Sequence, residues 1–442
     1  MQTSSRNVLW PVVDESFDEA EYLWRSWESS LDTHARNYRE VWFWTEDRLG
    51  GALDGVLLGG HRSCEELLAP GIERNDAIGT FAVSAHVLAA MRSPLAWELL
   101  WAALSKASGD SAQTLRRALE VLVLPKQIAS LEERLHGQGE AGLPWLVSLR
   151  TFRKESSPAA QIQQLAASHS PDYRRSAMAA ARLLPTQVAR KIIEPGLADI
   201  DARVVAAAVE AGLVHGFRSA WVRCLELGAA QTSAASFFWM SCLGGERERR
   251  LLMSALAAPR TFDLALQALG FLGTKEAANL ALHAMTNPAH ARLAAEAFCA
   301  ITGLNLATQN LAAPEPPTLN EPLAFELDDM NADLVPKLDD LLPLPDVDAV
   351  KRWWSQNEAR FDDSTRYIGG QPLCPEALYQ ALAVGPMRRR HVLGFELAVR
   401  TGGLCDLQTR GFYTLQRQQL RGIAEQVNSR SLAFSMEQPG RA

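Results

Sequence analysis

The sequence predicts an all-α protein whose centre is an α-solenoid, a stack of short helix pairs closed by helical caps at both ends. Two observations carry that reading. From Pro171 to Gly303 a short apolar helix, a tight turn and a second short helix recur. Aligning the ends of the first helices picks out Leu184, Leu213, Leu243, Leu272 and Ile301, at intervals of 29, 30, 29 and 29 residues. A stride of about 30 residues, made of two helices that each bury one face, is the pattern of units that cannot hide their apolar faces alone and must stack. The composition agrees: of 442 residues, 47% are apolar and 21% charged, with abundant Ala and Leu and few β-branched runs, which is globular and favours helix.

Residues 1–70 hold five of the twelve tryptophans, Trp10, Trp24, Trp27, Trp42 and Trp44. Between Phe17 and Leu31 the positions Ala20, Leu23, Trp24, Trp27 and Leu31 fall at helical spacing, and a second helix is predicted from Val41 through Leu49, Leu53 and Leu57. The segment is read as an N-terminal helical cap over the apolar end of the array; the alternative is an aromatic cage or partner patch. Repeats are assigned to 71–303. Those before Arg150 are less regular, with helices begun at Ser93-Pro94 and run from Leu115 to Leu124. Ser-Pro pairs suit helix starts, because serine can accept from a free N–H while proline gives up a donor that had no partner. The device recurs at Ser157-Pro158, Ser170-Pro171 and Asn287-Pro288.

Within the array the first helices are predicted at 171–184, 201–213, 233–243, 262–272 and 288–301. Runs such as Ala179, Ala180, Ala181 and Ala206, Ala207, Ala208 let neighbours approach closely. Pro185, Gly216, Gly244-Gly245, Gly273 and Gly303 mark the turns. Residues 304–345 are read as a Pro-rich acidic connector, since seven prolines between Leu311 and Pro345 exclude a continuous helix. Helices return over 346–428 as a C-terminal cap, including a pair about the Gly385-Pro386 turn, and 429–442 reads as a polar tail.

Net charge is −7 and uneven: ten acids between Leu311 and Val350 face Lys337 alone, a local balance of −9 that leaves the rest at +2. A non-specific nucleic-acid binder would be expected to carry a basic stripe for phosphates, so no nucleic-acid partner is predicted. Candidate partner-binding residues are the acids Asp328, Asp329, Asp333, Asp339 and Asp340, with Arg218, Arg223, Arg247, Arg250 and Lys275 on the second helices. Second helices usually line the concave side of a curved solenoid, an argument by analogy. The pairs Asp328-Asp329 and Asp339-Asp340 could hold a hard cation or act as acid and base, but adjacent acids in a Pro-rich stretch are the usual composition of a solvated linker. A third reading is an arm that mimics nucleic acid in the basic groove of a partner nuclease.

The six cysteines are scattered through apolar helical context and read as reduced core residues. The start MQTSSRNVLWPVVDE lacks a secretory pattern and no stretch is long and apolar enough to span a bilayer, so a cytoplasmic, non-membrane protein is predicted. There is no phosphate loop, no G-x-S-x-G elbow, and no H-x-x-x-H among the nine histidines. Neither cofactor, metal nor catalytic residues are predicted.

Two stretches carry a resemblance. Trp353-Trp354-x-x-Asn357-x-x-x-Phe361 followed by Arg366-Tyr367-x-x-Gly370-x-Pro372, and Glu46-Asp47-Arg48-Leu49 to Leu53-Asp54-Gly55, resemble a family of bacterial HEAT-like repeat proteins often encoded beside type VI secretion genes. The resemblance implies a cytoplasmic, non-catalytic protein that grips an effector, as the producer's immunity protein or as an adaptor for export. It supplies no catalytic residues. Arg366, Tyr367 and Trp353 are expected to build a packed cap in which the arginine satisfies helix-end carbonyls. A helical-repeat enzyme of lyase or glycosylase type is the alternative, to be recognised by a buried acid or aromatic cluster on a basic concave wall.

Overall fold

A computed structural model describes residues 8–74, 77–314 and 339–427. These are helical almost throughout; the named strands among them are the two-residue pair Tyr367–Ile368 and Gln371–Pro372. The chain forms two compact units, and they do not follow chain order. The described residues up to 223 share the first unit with the returning segment from 382 onward, and those from 224 to 381 form the second.

In the first unit the inner helices stack one on the next: Ile78–Ala90 on Gly109–Glu120, then Leu143–Phe152, Pro171–Ala181 and Ala202–Val214. Between them in the chain lie the second helices Pro94–Lys106, Pro125–Gly137, Ala159–Ala166 and Thr186–Gly196, each packed on one or more of the stacked helices. The repeat therefore begins near Ile78, about three units before the regular stride becomes visible in the sequence. Of the proline-marked starts, Ser93 caps as predicted, its Oγ accepting from the Ala96 N–H at 3.0 Å. The Ser170 side chain makes no cap bond. Asn287 accepts from the Ala289 N–H, and the helix starts later, at Ala291.

The N-terminal helix is longer than its apolar pattern suggests, Trp10–Ser30, with Val13, Phe17, Ala20, Trp24 and Trp27 on its buried face. Trp27 is fully buried, 4.4 Å from the Phe412 ring centroid and beneath the Arg117 guanidinium. The second helix is interrupted: Tyr38–Val41, a π-helical turn at Trp42–Glu46, then Asp47–Leu58. Trp42 stacks on Tyr413, while Phe43 and Trp44 stand 62% and 57% exposed. The N-terminal indoles are thus split between core and surface. The returning segment closes this unit, with Met387–Arg400 against Ala202–Val214 and the Met387 N–H donating to the Arg36 carbonyl at 2.9 Å.

In the second unit the first helices Ala234–Leu243, Phe262–Leu272 and Ala291–Thr302 stack in turn, with Glu246–Ala255 and Lys275–Ala284 as second helices. Val347–Asn357 packs on Lys275–Ala284, and its Val350 and Trp354 enter the same apolar core as Phe298 and Ile301. It stands as the second helix of the last pair. The predicted connector is consequently an insertion inside a repeat, and the described residues at its two ends are clipped together. Ala313 N–H donates to the Leu344 carbonyl and Asp346 N–H to the Leu311 carbonyl, both at 2.8 Å.

The turn Arg366–Leu373 then straps the ends of all three first helices. Arg366 Nε donates to the Phe271 carbonyl at 3.0 Å and Nη1 to the Cys242 carbonyl at 3.1 Å. The Tyr367 N–H reaches the Gly273 carbonyl, and Gly369 and Gly370 N–H reach Ala300 and Ile301, each at 2.8 Å. Helix ends leave their last carbonyls without intrahelical donors, and one short hairpin supplies the missing ones. Gly273 and Gly303 sit at φ +71° and +74°, and a Cβ on either would strike the strap backbone at Tyr367 or Gly369. The expected role of Arg366 is met in full. Replacing Arg366 by Met removes two charged-donor hydrogen bonds and should cost the second unit about 2–4 kcal/mol. Hydrogen exchange at the amides of 262–272 checks this; unchanged protection would contradict it.

Candidate functional site

The stacking of inner helices in the first unit aligns equivalent positions. Arg175, Ala179 and Arg182 repeat at i, i+4 and i+7 along and just past Pro171–Ala181, and Arg203, Ala207 and Glu210 repeat likewise on Ala202–Val214. That spacing keeps each trio on one helix face. Arg116 and Glu120 from Gly109–Glu120, and Ser148, Thr151 and Phe152 from Leu143–Phe152, complete the walls of a cleft of about 480 Å³. Alanine at the intervening positions leaves the space open, and the long charged side chains surround it.

Five cations line this cleft: Arg116, Lys154, Arg175, Arg182 and Arg203. Their counter-charges are unequally shared. Arg203 is held by Asp172 at 3.0 Å and Asp201 at 2.9 Å. Arg182 and Lys154 both hold Asp406, at 2.6 and 2.9 Å, a carboxylate only 5% exposed that arrives from the returning segment. Ser148 donates to Glu120 at 2.7 Å. Arg116 and Arg175 have no carboxylate partner among the described residues, and Arg175 adds a like charge that, after burial itself, holds the Arg116 guanidinium below its ordinary value.

Burial pushes the carboxyls of Glu120 and Glu210 up, against the pull of neighbouring cations. Burial, and then the Arg182 charge, bring the Lys154 amine down to about 8. Lys154 also carries the left-handed turn that ends its helix, at φ +64°, with the Glu155 N–H donating back to the Arg150 carbonyl at 2.9 Å. Glycine is the usual residue there, so lysine is held at a conformational cost. Three buried side-chain atoms of the lining, Arg116 Nε, Thr151 Oγ1 and Arg182 Nε, lack a hydrogen-bond partner. Buried polar atoms need partners, and these three open onto a cleft roomy enough for water or a polar ligand to supply them.

The residues selected from sequence lie elsewhere. Asp328, Asp329 and Asp333 fall outside the described residues. Asp339 is half-buried and Asp340 exposed, in the turn before Leu342. Arg218, Arg247 and Arg250 are exposed, Arg250 beside Glu246 at 3.4 Å; Arg223 is half-buried, and Lys275 stands 3.9 Å from Asp363. None of them lines the cleft, which is built on first helices rather than second ones. A usable signal was present: long charges at i and i+7, with alanine at i+4, in the first helices of consecutive repeats, as at Arg175, Ala179, Arg182 and Arg203, Ala207, Glu210.

Among the described residues no group of three His, Cys, Asp or Glu side chains could hold a metal ion, and no helix is long and apolar enough to cross a membrane. All six cysteines are free thiols. Comparison with protein-family models and with curated proteins finds no match.

The cleft's electrostatics can be read directly at Lys154. Trace acetylation across pH, resolved by mass spectrometry, should give this amine a midpoint near 8, against about 10.4 for an unperturbed lysine. A midpoint above 10 would contradict the environment described.

Proposed function

We propose that this chain is a non-catalytic binding scaffold of paired helices, and that the cleft of its first unit is a recognition site for an anionic group. The observation that carries the reading is Arg116 beside Arg175, two cations brought close and partly buried with no carboxylate bound to either. Burying a charge is costly unless it is paired, and like charges raise that cost. Their arrangement fits a site whose counter-ion comes with the ligand.

The family resemblance supports a protein partner, a type VI secretion effector held in the cytoplasm. On that basis the first role is an immunity protein that neutralises the effector, which could be a nuclease given the local charge of −9 between Leu311 and Val350. The second is an adaptor that loads the effector for export. Co-expression with the effector encoded beside it separates them: rescued growth with a stoichiometric complex indicates immunity, and lost secretion without lost protection indicates an adaptor.

One specific observation supports a different class. Glu120 and Glu210 are half-buried acids on a cationic wall, with carboxyls pushed upward. A carboxyl whose hold on its proton is strengthened, set beside an anionic ligand, is what a general acid needs, as a helical-repeat lyase or glycosylase would require.

The double variant Arg116→Glu/Arg175→Glu should lose capture of the effector by roughly a hundredfold or more, as two charge-assisted contacts become repulsive. Unchanged capture by a folded double variant would remove the cleft from the interface. Turnover abolished by Glu120→Gln or Glu210→Gln would instead favour the enzyme.

A further inference from the structure

We infer that the cleft of the first unit takes a phosphoryl group carried on a small phosphate ester, and not the carboxylate of an acidic side chain. This rests on the cleft being the recognition centre, and it identifies the chemistry recognised there.

Three features discriminate between the two anions. The first is the number of guanidiniums. Arg116 and Arg175, neither held by a carboxylate, come from two inner helices and line one opening, with Arg203 of a third beside them held by Asp172 and Asp201. A carboxylate offers two oxygens and is satisfied by a single fork, whereas a phosphoryl group offers three oxygens and close to two negative charges, enough for several forks.

The second is the polarity of what is unsatisfied. Arg116 Nε and Arg182 Nε can only donate, and Thr151 Oγ1 can donate. The chain supplies its own carboxylates where it uses them, Asp172 and Asp201 on Arg203 and Asp406 on Arg182 and Lys154. What the remainder lacks is an acceptor-rich anion. Glu120 is already engaged by the Ser148 hydroxyl at 2.7 Å, and burial pushes the carboxyls of Glu120 and Glu210 up.

The third is size. A volume of about 480 Å³ exceeds what one side-chain carboxylate needs and lies within the roughly 300–1,000 Å³ of small-molecule sites. Phe152 and the alanines at 179, 206 and 207 supply apolar wall for the ring or chain that bears the phosphate.

The test is isothermal titration of the full chain at constant ionic strength with adenosine monophosphate, inorganic phosphate, N-acetylglutamate and a short single-stranded DNA. The phosphomonoester should bind, inorganic phosphate more weakly, and N-acetylglutamate not measurably. Arg116→Gln and Arg175→Gln should each weaken the monoester by about tenfold or more, the loss of one charged hydrogen bond, while Arg250→Gln leaves it unchanged. Circular dichroism melts confirm that each variant is folded, and either cleft variant alone suffices.

Monoester binding that ignores both substitutions overturns the inference. Binding of N-acetylglutamate that depends on Arg116 also overturns it, yet leaves the cleft as a site for anionic partner groups. DNA bound more tightly than the monoester, with the same arginine dependence, overturns the small ester in favour of a phosphodiester chain. No binding of any anion by the folded protein overturns the phosphoryl assignment; effector capture by the Arg116→Glu/Arg175→Glu variant then decides separately whether the scaffold reading stands.

Discussion

A helix of ten to fourteen residues buries one face and cannot hide it alone. In each unit that constraint is met by laying first helices side by side, with Ala-rich faces that allow close approach. Everything else here follows from the alignment. Stacked helices repeat the same face at a steady stride, so a side chain chosen at i, i+4 and i+7 in one repeat meets its counterparts in the next. Apolar residues placed this way make the core. Arginines placed this way on the first unit's inner helices make a cationic cleft, and no single repeat contains it.

The second unit resolves a related problem, the unsatisfied carbonyls where helices stop. Three first helices end near one another, and the hairpin at Tyr367–Pro372, with Arg366 before it, donates to Cys242, Phe271, Gly273, Ala300 and Ile301. Left-handed glycines at 273 and 303 let the strap lie directly on the helix ends. The acidic insertion interrupts the last pair without disturbing the stack, because its ends are clipped to each other before Val347–Asn357 resumes.

Much of this was legible in the sequence. The leucines at 184, 213, 243 and 272 gave the stride because apolar periodicity is imposed by stacking itself. The role of Arg366 was expected for one of the residues that carry the family resemblance, as an arginine satisfying helix-end carbonyls, and its bonds to Phe271 and Cys242 are of that kind. The cleft was not. Its charges are diluted among alanines, where each alone looks like solvated surface, and the dense acids between 311 and 350 dominated the charge reading. Asp406 reaches Lys154 and Arg182 only because the chain returns to the first unit, a pairing that spacing cannot reveal. The π-helical turn at Trp42–Glu46 was hidden as well, since it adds a residue to a turn whose pattern still reads as helix.

The central claim is that Arg116 and Arg175 are kept without carboxylate partners so that an incoming oxyanion can use them. Anomalous diffraction from crystals of the full chain grown with tungstate, a tetrahedral oxyanion, tests it most directly. The account predicts a tungsten peak in the cleft within hydrogen-bond reach of both guanidiniums. A cleft with no peak, and with the two arginines turned onto Glu120 or Asp172, would contradict it.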